Sequence, residues 1–234
     1  MSQNHPEITS LTRLLRQRHI QAELSGCLLI AAYETKKTSL DLTPCMDLVA
    51  LNPAKLASII QSRLGLNIRI FARQCLVQKT DKKIAEDFLN AYHLMGSAAS
   101  GFNYGLFFRN ELVAIASFSK GRKMKRLPGH LRSFELIRFC SKDGITVTGG
   151  LTKLVKNFCR EKNAGDIMTY IDKQFSDGAS FAKAGFRKHG ETPPLEFLIA
   201  KQSFEKKLYN GESYDPRKYH LVKNLGNIKM IFTP

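Results

Sequence analysis

The chain is 234 residues long and 43% hydrophobic, with 15 Phe and 7 Tyr. That apolar content suits one large or two small domains and excludes a disordered chain. Lys and Arg number 36 against 20 Asp and Glu, a formal net charge of +16; no stretch reaches the roughly 18 apolar residues of a membrane span, and the first residues lack a signal-peptide core, so a cytoplasmic protein without membrane contact is expected.

The five cysteines, Cys27, Cys45, Cys75, Cys140 and Cys159, are odd in number and widely spaced. Neither a disulfide framework nor a CxxC zinc site fits, so they read as small buried hydrophobes. The histidines are equally scattered, and no metal site is expected.

In chain order, Ile8, Leu11, Leu14 and Leu15 have helical spacing, predicting a helix over Ile8 to Arg18. Cys27 to Tyr33, Ser39 to Leu42 and Met46 to Leu51 read as three short strands. Pro53 opens a helix that Gly65 stops. Ile68 to Gln78 reads as extended. Asp81 to Leu94 is helical, with Ile84, Phe88, Leu89 and Tyr92 on its apolar positions.

Two apolar runs then flank Arg109-Asn110-Glu111, predicting a hairpin over Tyr104 to Ser119. Phe134 to Cys140 is a third strand. Gly149-Gly150 leads into a helix with apolar face Leu151, Leu154, Val155 and Phe158, which Gly165 ends. Asp166 to Asp172 is a strand, Ser176 caps a short helix through Lys183, and Phe186 begins the last strand pair. The tail from Lys201 is polar and basic, with a late extended run at Asn227 to Phe232.

Charge is uneven. Residues 1–66 hold 7 basic and 5 acidic side chains, leaving 29 and 15 for the rest. Lys120, Arg122, Lys123, Lys125 and Arg126 crowd into seven residues, followed by His130 and Arg132. Folding gains nothing from such repulsion, whereas a polyanion releases counterions on binding it. The run therefore points to a nucleic-acid phosphate backbone.

The order helix, hairpin, strand, glycine turn, helix, strand, short helix, strand resembles the GNAT acyltransferase fold over roughly residues 70–200. The hairpin GLFFRNELVAIASF is similar to that family's second and third strands. Gly149-Gly150 is similar to its cofactor pyrophosphate loop, and Phe181-Ala182-Lys183-Ala184-Gly185-Phe186 to its late aromatic-x-Lys-x-Gly-Phe signature. A further resemblance, in segments such as LGLNIRIFARQC, LIRFCSK and YIDKQFSDGASFAKAGF, is to the GNAT-like tail of phage-type homing endonucleases with a Vsr-like nuclease head. In such a head acidic residues hold a divalent metal. Asp41 matches one of those positions and Ala50 stands at the other, so the head is degenerate. More distantly the chain resembles Mom-type DNA modification proteins.

The GNAT resemblance implies that Gly149, Gly150 and Thr152 hold an acyl-CoA pyrophosphate, acetyl-CoA being the cofactor. It also implies a base for the incoming amine, for which Glu135 is placed. The chain departs from the pattern at Thr146, Leu151 and Phe181. The homing-type resemblance makes His93 a catalytic or phosphate contact. Tyr170 and Asp172 share a strand face by period two and, with Lys173, match the family's strand-to-helix signature. Arg138, on the face of Phe134 by the same period, needs Asp172 or a phosphate as partner; Arg138 and Lys173 join the nucleic-acid set.

The reading is an α/β protein, a GNAT-like mixed sheet flanked by helices over 67–200, with a small N-terminal α/β segment (1–66) and a basic extension (201–234). Its expected function is nucleic-acid binding, to DNA or RNA, in a phage or mobile-element protein that has lost catalysis, in a bacterial host cytoplasm. The alternatives are an N-acyltransferase modifying a nucleobase or other amine from an acyl-CoA donor, and a structural subunit of a larger nucleoprotein complex.

Overall fold

Apolar stripes at helical spacing and short β-branched or aromatic runs resolve, in a computed structural model that describes residues 6–25, 28–33, 38–42 and 46–234, into six α-helices and fifteen strands. In chain order these are α1 (Pro6–Gln17), β1 (Ile20–Ser25), β2 (Leu28–Tyr33), β3 (Thr38–Leu42), α2 (Met46–Leu51), α3 (Pro53–Arg63), β4 (Ile68–Phe71) and, after one 3-10 turn at Ala72–Gln74, β5 (Leu76–Lys79). Then come α4 (Lys82–Tyr92), β6 (Phe102–Phe108), β7 (Glu111–Phe118), β8 (Arg132–Ser141), β9 (Ile145–Thr148), α5 (Gly150–Lys162) and β10 (Ala164–Asp172). The last are α6 (Ala179–Lys183), β11 (Arg187–Glu191), β12 (Glu196–Ala200), β13 (Lys206–Leu208), β14 (Tyr219–Lys223) and β15 (Asn227–Phe232).

The chain divides into two compact units. The first comprises residues 1–66, 172–176 and 192–227. It holds the antiparallel sheet β1-β2-β3 and a second sheet ordered β13-β12-β14. Leu11 and Leu15 of α1, with Leu56, Ala57 and Ile60 of α3, form its buried core.

The second unit comprises residues 67–171, 177–191 and 228–234. Its seven-stranded sheet is ordered β11-β15-β10-β8-β7-β6-β5. β5 to β8 pair antiparallel, as do β11 and β15, while β8 and β10 run parallel. A parallel pair requires a crossover, and α5 supplies it. On one sheet face Leu154, Val155 and Phe158 of α5 pack with Phe118, Phe134 and Leu136. The rings of Phe118 and Phe158 stack at 3.9 Å and 10°. On the other face Ala85, Phe88 and Leu89 of α4 cover Ile115. This is the mixed α/β architecture, a central mixed sheet between helices, that the GNAT resemblance implied.

Four local expectations change. Met46–Leu51 is a helix; a six-residue apolar run carries no period to separate helix from strand, and Asp47 in the first turn favours a helix start. Asn163, at φ 47°, ends α5 instead of Gly165. Gly165 lies inside β10, where an added Cβ would meet Leu127 Cδ1 at 2.8 Å. Gly178 at φ 83°, rather than Ser176, precedes α6. The basic tail contains β13 and β14, and its late extended run is β15, between β11 and β10. Cys75 and Cys159 are buried; Cys27 and Cys45 lie outside the described residues.

Candidate active site

Strands β8 and β10 pair only over their first halves. Their ladder runs from Arg132 opposite Ala164 to Glu135 opposite Met168, yet β8 continues to Ser141 and β10 to Asp172. A bulge marks the parting. Phe118 pairs with Leu136 and Ser117 with Arg138, leaving Ile137 as the extra residue. Bulges re-aim side chains and end pairing.

Neighbouring residues on β7 face opposite sides of the sheet. Leu136 therefore joins Phe118 in the core beneath α5, and Arg138 turns to the α4 face with Ser117. The expected placement of Arg138 beside Phe134 is corrected: the extra residue breaks the period. Glu135 occupies the same α4 face. So does Tyr170, two residues beyond Met168 on β10 and 42% exposed between buried neighbours.

The surroundings of Glu135 are fixed. Its main-chain N–H donates to Ser119 Oγ at 2.9 Å, and its carbonyl accepts from Ser119 N at 2.9 Å. Its carboxylate lies 3.6 Å from Arg122 Nη2. Arg138 donates from Nε to the Gly96 carbonyl at 3.1 Å and from Nη1 to the Ile137 carbonyl at 3.0 Å. Burial pushes this guanidinium below its ordinary pKa, while Glu135 opposes the shift. Two of its donors thus meet main-chain carbonyls, Gly96 in the loop after α4 and Ile137 in β8 itself.

His93 follows the last turn of α4, and its Nδ1 accepts from Met95 N at 3.1 Å. It shapes the loop that presents Gly96. Asp172 ends β10, and its Oδ1 accepts from Gln174 N at 2.8 Å. Burial raises the pKa of that carboxyl. The N–H of Lys173 donates to Gly226 O at 3.2 Å. Asp172 and Lys173 belong to the first unit, whereas Glu135, Arg138 and Tyr170 lie on one sheet face of the second.

At the start of α5, Gly149 is left-handed at φ 77° and no side chain caps the helix. The first intrahelical bond there is Lys153 N to Gly149 O at 3.0 Å, so the first-turn amides of Gly150, Leu151 and Thr152 have no helical acceptor. A Cβ on Gly150 would meet Leu106 Cδ1 and Val147 Cβ at 3.1 Å each. A larger residue would push these side chains aside by a few tenths of an ångström. Bare amides at a helix N-terminus bind anions.

The basic run is partly neutralised. Asp166 is 3% exposed, and its Oδ2 accepts from Arg126 Nε at 3.1 Å and Nη2 at 2.6 Å. Ser133 Oγ donates to the other oxygen of Asp166. Arg122 faces Glu135, and Arg132 Nη1 is buried without a partner. Lys120, Lys123, Lys125 and His130 are exposed without an acidic partner among the described residues. Among those residues no three His, Cys, Asp or Glu side chains form a metal-binding group, and no helix is long and apolar enough to cross a membrane.

No protein-family model matches the chain, and no curated protein sequence matches it. Solved structures do. An acetyltransferase from Bacillus subtilis in complex with CoA is 12% identical, covering 68% of this chain and 99% of its own, with TM-score 0.40. A GNAT family acetyltransferase from Elizabethkingia anophelis with acetyl-CoA bound is 11% identical over 69% and 99%, TM-score 0.39. Aminoglycoside 6'-acetyltransferase type Ii is 13% identical over 68% and 96%, TM-score 0.43.

The expectation of a nucleic-acid-binding protein with catalysis lost is corrected. The three solved structures named above are acetyltransferases, and two arginines of the basic run are engaged by carboxylates.

Proposed function

We propose that this protein is an N-acyltransferase that moves an acyl group from an acyl-CoA to an amine. One observation carries the reading: the bare Gly149-Gly150 helix start stands in the unit where β8 and β10 part, with Glu135 on the last paired rung. An acyl-CoA, when bound, supplies an acyl carbonyl activated as a thioester. The amides of Gly150, Leu151 and Thr152 would hold its pyrophosphate. Glu135 takes the proton that the amine sheds as its nitrogen bonds to the acyl carbon. Tyr170, exposed on that face, has a hydroxyl that returns a proton to the departing sulfur. Arg138, locked to the Gly96 and Ile137 carbonyls, keeps the bulge in place and positions Glu135 without touching the reacting atoms.

The test pairs calorimetric CoA binding with thiol release from acetyl-CoA over a panel of primary amines. Wild-type protein binds CoA, and Gly150→Asp loses binding because the new side chain collides with Leu106 and places negative charge at the anion site. Glu135→Gln keeps CoA affinity and lowers turnover by about a hundredfold or more. Absence of CoA binding by the folded wild-type protein overturns the reading.

A further inference from the structure

Beside the α5 start lies a ledge that the acyl-transfer chemistry does not use. Strand β4 runs parallel to β9, pairing Arg69 with Thr146, Ile70 with Val147 and Phe71 with Thr148. Ile70 and Val147 enter the core, so Arg69 and Phe71 point the opposite way. Phe71 is 45% exposed, a large apolar surface left to water. The guanidinium of Arg73 lies over its ring, 4.8 Å from the centroid.

This ledge adjoins the glycine turn. Thr148, the register partner of Phe71, directly precedes Gly149, and a Cβ on Gly149 would lie 3.7 Å from the Cβ of Ala72. Lys153 of α5 donates to the carbonyls of Ala72 at 2.9 Å and Cys75 at 2.6 Å. Those bonds pin the 3-10 turn that carries Arg73 and engage the ammonium of Lys153. Arg69 and Arg73 have no carboxylate partner among the described residues, so two guanidiniums and an open aromatic face remain together.

We infer that Phe71, Arg73 and Arg69 recognise the 3'-phosphoadenosine end of the acyl-CoA. A flat purine suits the phenyl–guanidinium surface, and a phosphate monoester suits unpaired arginines, which bind it through two parallel N–H donors. A single anion would explain the arginines but not the exposed ring; an apolar partner would explain the ring but not the arginines. This rests on the acyl-CoA reading above and adds a discrimination that reading does not require: CoA over dephospho-CoA, which lacks only the 3'-phosphate.

Calorimetry with CoA, dephospho-CoA and pantetheine tests it. Wild-type protein prefers CoA over dephospho-CoA by about tenfold or more, the worth of a charge-assisted hydrogen bond. Arg69→Ala/Arg73→Ala brings that ratio close to one while retaining dephospho-CoA binding. Phe71→Ala weakens CoA and dephospho-CoA alike and leaves pantetheine unchanged. All three positions are at the surface, and circular dichroism confirms that the variants fold. Equal affinity of the wild-type protein for CoA and dephospho-CoA, or a preference that survives the double arginine change, overturns the ledge and leaves the acyl-CoA reading standing. Failure to bind CoA at all overturns both.

Discussion

At the scale of single residues, electrostatics separates groups that hold structure from groups left for chemistry. Glu161, near the end of α5, is held down to about 2, chiefly by the ammonium of Lys79 at 2.8 Å. Its ordinary value is 4.5. A carboxyl depressed in this way stabilises the fold fully above its unfolded value and loses that contribution as pH falls from about 4.5 towards 2. The pair is substantially exposed, so solvent screening holds its worth to about 1 kcal/mol or less. Glu161→Gln therefore lowers stability modestly at pH 7 and by less at pH 2, where the carboxyl of the folded protein is about half protonated. Urea unfolding at both pH values measures this; an equal loss at both would show that packing, not charge, is responsible. Burial pushes the Cys159 thiol up to about 12, with Asp166 adding to the effect. That cysteine is a core residue, as its isolated position in the sequence suggested.

At the scale of elements, α5 does two things. Its first turn presents bare amides, and its apolar face anchors that turn to the sheet. Phe158 is the anchor: it stacks on Phe118 and meets Tyr104 and Phe134 edge-on. Phe158→Ala removes a fully buried ring from the core and costs about 3–5 kcal/mol, measured by denaturant midpoint. Leu154 and Val155 belonged with Phe158 in the sequence pattern, and the helix formed as read. The bulge in β8 was not readable. FELIRFC alternates well enough to pass for an uninterrupted strand, and only pairing with β7 exposes Ile137 as extra. The Arg126–Asp166 contact spans 40 residues and joins a loop to a strand, so no local window contains it.

At the scale of the whole molecule, the excess positive charge is real but its destination changes. With a net charge of +16 and only part of the basic run paired, self-repulsion opposes the compact state. Raising salt from about 0.05 to 0.5 M shortens the Debye length from roughly 14 to 4 Å. The melting temperature rises by a few degrees across that range; a fall would show that attractive ion pairs outweigh the repulsion. Cations that looked like one surface for a polyanion are divided among Asp166, Glu135 and open solvent.

Taken alone, the sequence determined the mixed α/β class, the hairpin over β6 and β7, the amphipathic α4 and α5 and the glycine turn between β9 and α5. Each is set by residues close in the chain, whose spacing and backbone freedom are local properties. The tertiary structure alone decided where β8 and β10 separate, which way Arg138 turns, that β15 enters the main sheet, and that Phe71 and Arg73 stand beside Gly149. These depend on register between strands far apart in sequence, and a one-residue shift in register exchanges the two faces of a sheet.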